Sequence, residues 1–144
     1  MSKIIAIAND HAGTELKKKI IDKFGKDYEF INCGTDDNLS VDYPDFSKKV
    51  CDLVLSKKAN FGILVCGTGI GMSISANRHK GIRAGLCFHS LMAKLTRKHN
   101  DANVLCLGAR MIGDDVAFDC VEAFLNTDFD GGRHLKRIEK IDKE

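Results

Sequence analysis

Short apolar runs alternate along the chain with longer stretches in which apolar residues recur at helical spacing. Ile4 to Ala8, Tyr28 to Asn32, Phe61 to Val65, Ile82 to Phe88 and Asn103 to Leu107 each read as a buried strand. Between them, Leu16, Ile20 and Phe24, then Phe46, Val50, Leu53 and Val54, predict amphipathic helices. The same holds for Leu91 with Leu95, and for Val116, Val121, Phe124 and Leu125. Parallel strands need crossover connections and bury both faces of their sheet, so this alternation predicts a doubly wound α/β fold. The expected architecture is a three-layer α/β/α domain on a five-stranded parallel sheet, spanning residues 1–144 as one unit.

Composition narrows the function classes. A chain of 144 residues with 44% apolar residues and one proline can bury its own core. Its net charge of +2 gives no reason to expect nucleic acid as a partner, and Lys17-Lys18-Lys19 on an amphipathic helix reads as a solvated face. The first apolar run is too short for a signal peptide, and no window reaches the length of a membrane span. The protein is therefore expected in the cytosol, with no membrane partner. Its six cysteines include no CxxC pair; five fall in apolar strand or helix patterns and read as small reduced hydrophobes. Only Cys66 sits where a turn would expose it.

In a doubly wound sheet, ligands bind beyond the carboxyl ends of the strands. The residues there are Asn9-Asp10-His11, Gly34-Thr35, Cys66 to Gly71, His89-Ser90 and Gly108-Ala109-Arg110. Cys66-Gly67-Thr68-Gly69-Ile70-Gly71 is the most informative of these segments. A strand that delivers a thiol to a helix start sets it among unpaired backbone N–H groups, which favour a thiolate and can hold an anionic oxygen beside it. Other glycine loops fail on spacing. A dinucleotide fingerprint from Gly67 needs glycine at Met72, a phosphatase loop needs arginine there, and a P-loop needs a lysine that does not come until Lys80.

Each remaining candidate has a plain structural alternative. Asp10 is suited to cap a helix, and His99, beside Asn100 where the fourth helix meets the fifth strand, to complement a helix dipole. Arg133 and Arg137, one turn apart after Gly131-Gly132, can clamp a phosphate or simply face solvent, and Arg110 carries the same ambiguity. His79, His89 and His134 read as surface residues. The long polar loop Thr35 to Pro44 contains Tyr43, which is placed to cover a site.

Taken in order, Asn9-Asp10-His11-Ala12-Gly13, Asp42-Tyr43-Pro44, Cys66 to Ser73, His99 to Leu105 and Gly131-Gly132-Arg133-His134 resemble the B-type ribose-5-phosphate isomerases over nearly the whole chain. The resemblance implies a Rossmann-like fold and interconversion of ribose 5-phosphate and ribulose 5-phosphate, with no metal and no organic cofactor. A hexose 6-phosphate such as allose or galactose 6-phosphate is the alternative substrate, and a non-catalytic sugar-phosphate module the more distant one. By the same resemblance Cys66 is the base, with Thr68 assisting, and the backbone of Gly67, Thr68, Gly69, Ile70 and Gly71 stabilises an enediolate. His99 promotes ring opening. Asp10 and Asn100 contact sugar hydroxyls, and His11, Arg110, Arg133 and Arg137 bind chiefly the phosphate. The family assembles as homodimers with sites at the interface; pairing into tetramers is open, as is the chain that supplies each arginine. Asn9 stands where related sequences often carry a smaller residue, and His89 to Met92 replaces a segment that often holds an acidic or aromatic one.

Overall fold

The computed structural model describes residues 2–143. Five strands, β1 (Ile4–Asn9), β2 (Glu29–Asn32), β3 (Phe61–Cys66), β4 (Ala84–Leu86) and β5 (Val104–Gly108), pair in parallel in the order β2-β1-β3-β5-β4. The helices are α1 (Thr14–Phe24), α2 (Tyr43–Leu55), α3 (Ile70–Asn77), α4 (Ser90–Asn100), α5 (Asp114–Leu125) and α6 (Arg133–Ile141). The expected three-layer α/β/α architecture is the one observed.

Strand alternation sorts the core into two halves. Ile5, Ile7, Ile63, Val65, Leu105 and Leu107 face α1, α4 and α5, packing on Ile20, Ala93 and Phe124. Ala6, Ala8, Leu64, Cys66, Val104 and Cys106 face α2 and α3, packing on Val50, Val54, Met72 and Ala76. Each wholly buried leucine or isoleucine among them contributes about 1.5–3 kcal/mol. The second half is built for close approach: a Cβ on Gly62 would lie 2.4 Å from Val50 Cγ1, so α2 packs almost onto the backbone of β3.

Several expectations from the sequence need correction. The fourth strand is shorter than the run Ile82 to Phe88, because Ile82 closes a turn onto His79 and Phe88 is exposed at the sheet edge. Cys33 and Cys87 lie just beyond strands rather than within them. Cys66 is only 5% exposed, since its side chain points under α3 rather than out of the turn. Lys17 is not on a solvated face but wholly buried, and Lys19 pairs with Asp114 of α5 at 2.7 Å. All six cysteines are free.

Candidate active site

The chain leaves β1 for β2 on one side and returns to β3 on the other, so the connections after β1 and β3 run to opposite faces of the sheet and leave a crevice between them. Two turns line it. After β1, the Asp10 amide donates to Val65 O at 3.1 Å, tying the turn to β3. The Asp10 carboxylate, nearly buried, accepts the Ala12 amide at 3.0 Å and caps a 3-10 turn over His11–Gly13. His11 is held from outside that turn: its Nδ1 accepts the Val41 amide at 3.3 Å.

After β3 the chain reaches the thiol. Gly69 adopts φ +78°, a left-handed conformation that favours glycine, and its amide donates to Cys66 Sγ at 3.2 Å. The Thr68 hydroxyl, exposed at the turn, accepts the Ile70 amide at 3.1 Å where α3 begins. The exit of β5 is bonded to the same turn, Ala109 N donating to Cys66 O and Arg110 N to Gly67 O, both at 2.9 Å. A Cβ on Gly67 would lie 3.3 Å from Arg110 Nη1, which puts the guanidinium beside the turn. A Cβ on Gly71 would lie 2.8 Å from Tyr43 Cζ, so the Tyr43 ring lies over the turn as a cover.

Asp10, His11, the Cys66 to Gly71 turn and Arg110 are thus gathered at one end of the sheet. The thiol, the amides and the guanidinium together suit a reaction in which a proton leaves carbon while negative charge grows on a neighbouring oxygen. Burial raises the pKa of the Cys33 thiol, and that of four more cysteines in this core. Burial pushes Cys51 and Cys120 up to about 11, Cys87 up to about 12, and Cys106 well above the usual thiol range.

His99, Asn100, Arg133 and Arg137 are elsewhere. α4 starts beside the carboxyl end of β4 and runs back, so His99 and Asn100 lie at the amino ends of the strands, opposite Cys66 in the same chain. Arg83, just before β4, donates from Nε to Asn100 O at 2.8 Å, and the Asp130 amide donates to Lys98 O at 3.1 Å. α6 is attached at that end: the His99 and His134 rings stack with centroids 4.6 Å apart and planes 18° apart. His134 is therefore not a plain surface residue. Partial burial, then the charges of His99, Arg133 and Arg137, hold its imidazole below its usual pKa. Arg133 and Arg137 are exposed on α6 with no side-chain partner among the described residues.

The ligating atoms of His99, Asp130 and His134 lie within 4.8 Å of one another. Near-parallel rings do not aim two lone pairs at one point, and the charges of Arg133 and Arg137 bear on them, which disfavours a cation there despite Asp130. Arg97, which the sequence reading missed, anchors this end. Its guanidinium lies over Phe61 at 4.9 Å and donates to Asp101 Oδ1 at 2.8 Å and Ala102 O at 2.7 Å. Its place one turn after Ala93, on the buried face of α4, was the available signal.

A cavity of about 410 Å³ beside the turn is lined by Thr68, Ile70, Leu86, Phe88, Met111 and Ile112 among others. That lining is mostly apolar and suits another apolar surface better than a sugar. No helix among the described residues is long and apolar enough to cross a membrane.

Comparison with known proteins shows the family. Ribose-5-phosphate isomerase B of Escherichia coli is 41% identical over 140 residues, covering 96% of this chain and 94% of its own. The crystal structure of a ribose 5-phosphate isomerase from Thermotoga maritima is similar with a TM-score of 0.98 at 54% identity, covering all of both chains. Ribose-5-phosphate isomerase B of Clostridium thermocellum has a TM-score of 0.96 at 50% identity, over 97% of this chain and 95% of its own. The family model described as Ribose/Galactose Isomerase matches residues 5–141, and the chain belongs to that family.

Proposed function

We propose that the protein interconverts ribose 5-phosphate and ribulose 5-phosphate at a site shared between two copies of the chain. The observation that carries the reading is the turn after β3, where the Cys66 thiol lies among the backbone amides that open α3, with the Gly69 amide donating to its sulfur. Cys66 Sγ takes the proton from C2 of the open-chain aldose; the C–H electrons form the C1–C2 double bond and the carbonyl π pair moves onto O1, the enediolate oxygen. The amides of Gly67 to Gly71 stabilise that oxygen, with Thr68 assisting beside it. Return of that proton to C1, with transfer of the O2 proton to O1, leaves the ketose. No electrons enter or leave overall.

Ring opening falls to His99, and the phosphate to Arg133 and Arg137, with His11 and Arg110 as further contacts and Asp10 and Asn100 at the sugar hydroxyls. Because His99, Asn100 and the α6 arginines lie at the far end of their own sheet, they serve the thiol of a second copy. Apolar side chains left exposed along the β4 edge, Ile70 and Ile74 on α3, Phe88, and Leu91 and Leu95 on α4, support a homodimer. The relatives named for ribose 5-phosphate match nearly the whole chain and favour the pentose.

Steady-state kinetics with ribose 5-phosphate, allose 6-phosphate and galactose 6-phosphate test the substrate. The pentose is expected to have the highest kcat/KM, and a hexose phosphate that exceeds it overturns the assignment. Cys66→Ala tests the base: kcat is expected to fall about 10²–10⁴-fold while calorimetry still detects sugar-phosphate binding. A near wild-type rate removes the thiol from the mechanism.

A further inference from the structure

Lys17 is among the largest wholly buried side chains of the described residues and the one that carries a charge, and the proposed reaction gives it no role. A buried ammonium is costly unless it is paired and hydrogen-bonded. Its Nζ donates to Thr35 O at 2.6 Å and to the Asp36 carboxylate at 2.5 Å. That bond, with one from Asn32, holds Asp36 below the usual carboxylate range.

Two more buried side chains grip the same segment. Asn9 Nδ2 reaches Thr35 O at 3.1 Å and Thr14 Oγ1 at 3.2 Å, and the Thr14 hydroxyl donates to Asp37 O at 2.8 Å. Asn9 Oδ1, buried and without a partner among the described residues, faces Gly34, where a Cβ would lie 1.9 Å away. Residues 34–37 are thereby clamped onto β1 and the first turns of α1. Farther along this connection the Val41 amide donates to His11 Nδ1, and the connection ends at Tyr43, whose ring covers Gly71.

An imidazole nitrogen that accepts an N–H carries no proton, so neutral His11 holds its hydrogen on Nε2. We propose that Lys17 is a positioning residue: by pinning residues 35–37 it holds Val41 against His11, which selects the Nε2–H tautomer and turns a hydrogen-bond donor toward the phosphate. The clamp also seats Tyr43 over the turn that carries Cys66. This inference rests on the reading of His11 as a phosphate contact. The chemical step itself needs no part of the clamp.

The test separates the clamp from that reading. In protein labelled with ¹⁵N-histidine, nitrogen-proton correlation spectra report which His11 ring nitrogen bears the proton, and His11→Gln assigns the signal. Wild type is expected to show Nε2–H alone. Lys17→Met, which keeps the buried stem, is expected to show mixed tautomers and a KM for ribose 5-phosphate raised about tenfold, with kcat changed less. Should Lys17→Met fail to fold, the near-isosteric Thr14→Val cuts another strand of the clamp with the same expected signature, and Thr14→Ser is expected to restore it. An unchanged His11 tautomer in a folded clamp variant overturns the proposal. A released tautomer with unchanged KM supports the clamp and counts against His11 as a phosphate contact.

Discussion

The amide of Gly69 donates to the sulfur of Cys66 at 3.2 Å, three residues on, and it reaches the thiol because Gly69 is left-handed at φ +78°. A side chain at Gly69 would meet Leu86 Cδ1 at 2.5 Å and the backbone carbon of Leu107 at 3.0 Å. Gly69→Ala therefore combines an unfavourable backbone conformation with clashes against β4 and β5. The backbone conformation alone is expected to cost about 1–2 kcal/mol, read as a lower midpoint in urea unfolding. Activity should fall further than stability, because the amide that faces the thiol moves. A variant with wild-type kcat would show that this contact does not matter to turnover.

Separation of Cys66 from His99 across the sheet makes a sharp prediction for mixed dimers. Cys66→Ala and His99→Ala should each be nearly inactive alone. If each site takes its thiol from one copy and its histidine from the other, a dimer holding one of each variant has one intact site. Random mixing of equal amounts after unfolding and refolding should then recover about a quarter of wild-type activity. A site contained in one chain recovers none.

The buried thiols predict behaviour in alkali. Cys51, Cys87 and Cys120 are pushed up from the ordinary 9.0 to about 11, 12 and 11, so the folded state favours their neutral forms. Their contribution is complete below pH 9.0 and is lost as pH rises toward 11 and 12, since the unfolded chain ionises first. Urea midpoints should fall over that range, and Cys87→Ala should flatten the fall. At neutral pH, iodoacetamide followed by peptide mapping should leave these three unmodified in the folded protein. Rapid labelling of Cys87 in the folded protein would contradict this account.

Most of the fold was legible because buried parallel strands are written as local apolar runs. Ile4 to Ala8 and Phe61 to Val65 need only their own composition to be read. The thiol turn was legible for a similar reason: a cysteine at a strand end followed by alternating glycines is a local signal. Lys17 was misread because burial of a lysine depends on partners 18 and 19 residues away, the Thr35 carbonyl and the Asp36 carboxylate, and no helical pattern records them. His134 was passed over because its stacking on His99 joins two helices that meet only in the fold.

By itself the sequence determined the strand and helix alternation, the glycine turn with Cys66, and the set of polar residues at strand ends and on the last helix. These follow from patterns within a few residues of one another. Only the tertiary structure decided which of them meet. It put Asp10, His11, Tyr43 and Arg110 around the thiol and carried His99 and the arginines to the opposite end, because a helix returning from a parallel strand must bring its last turn back to where the strand began.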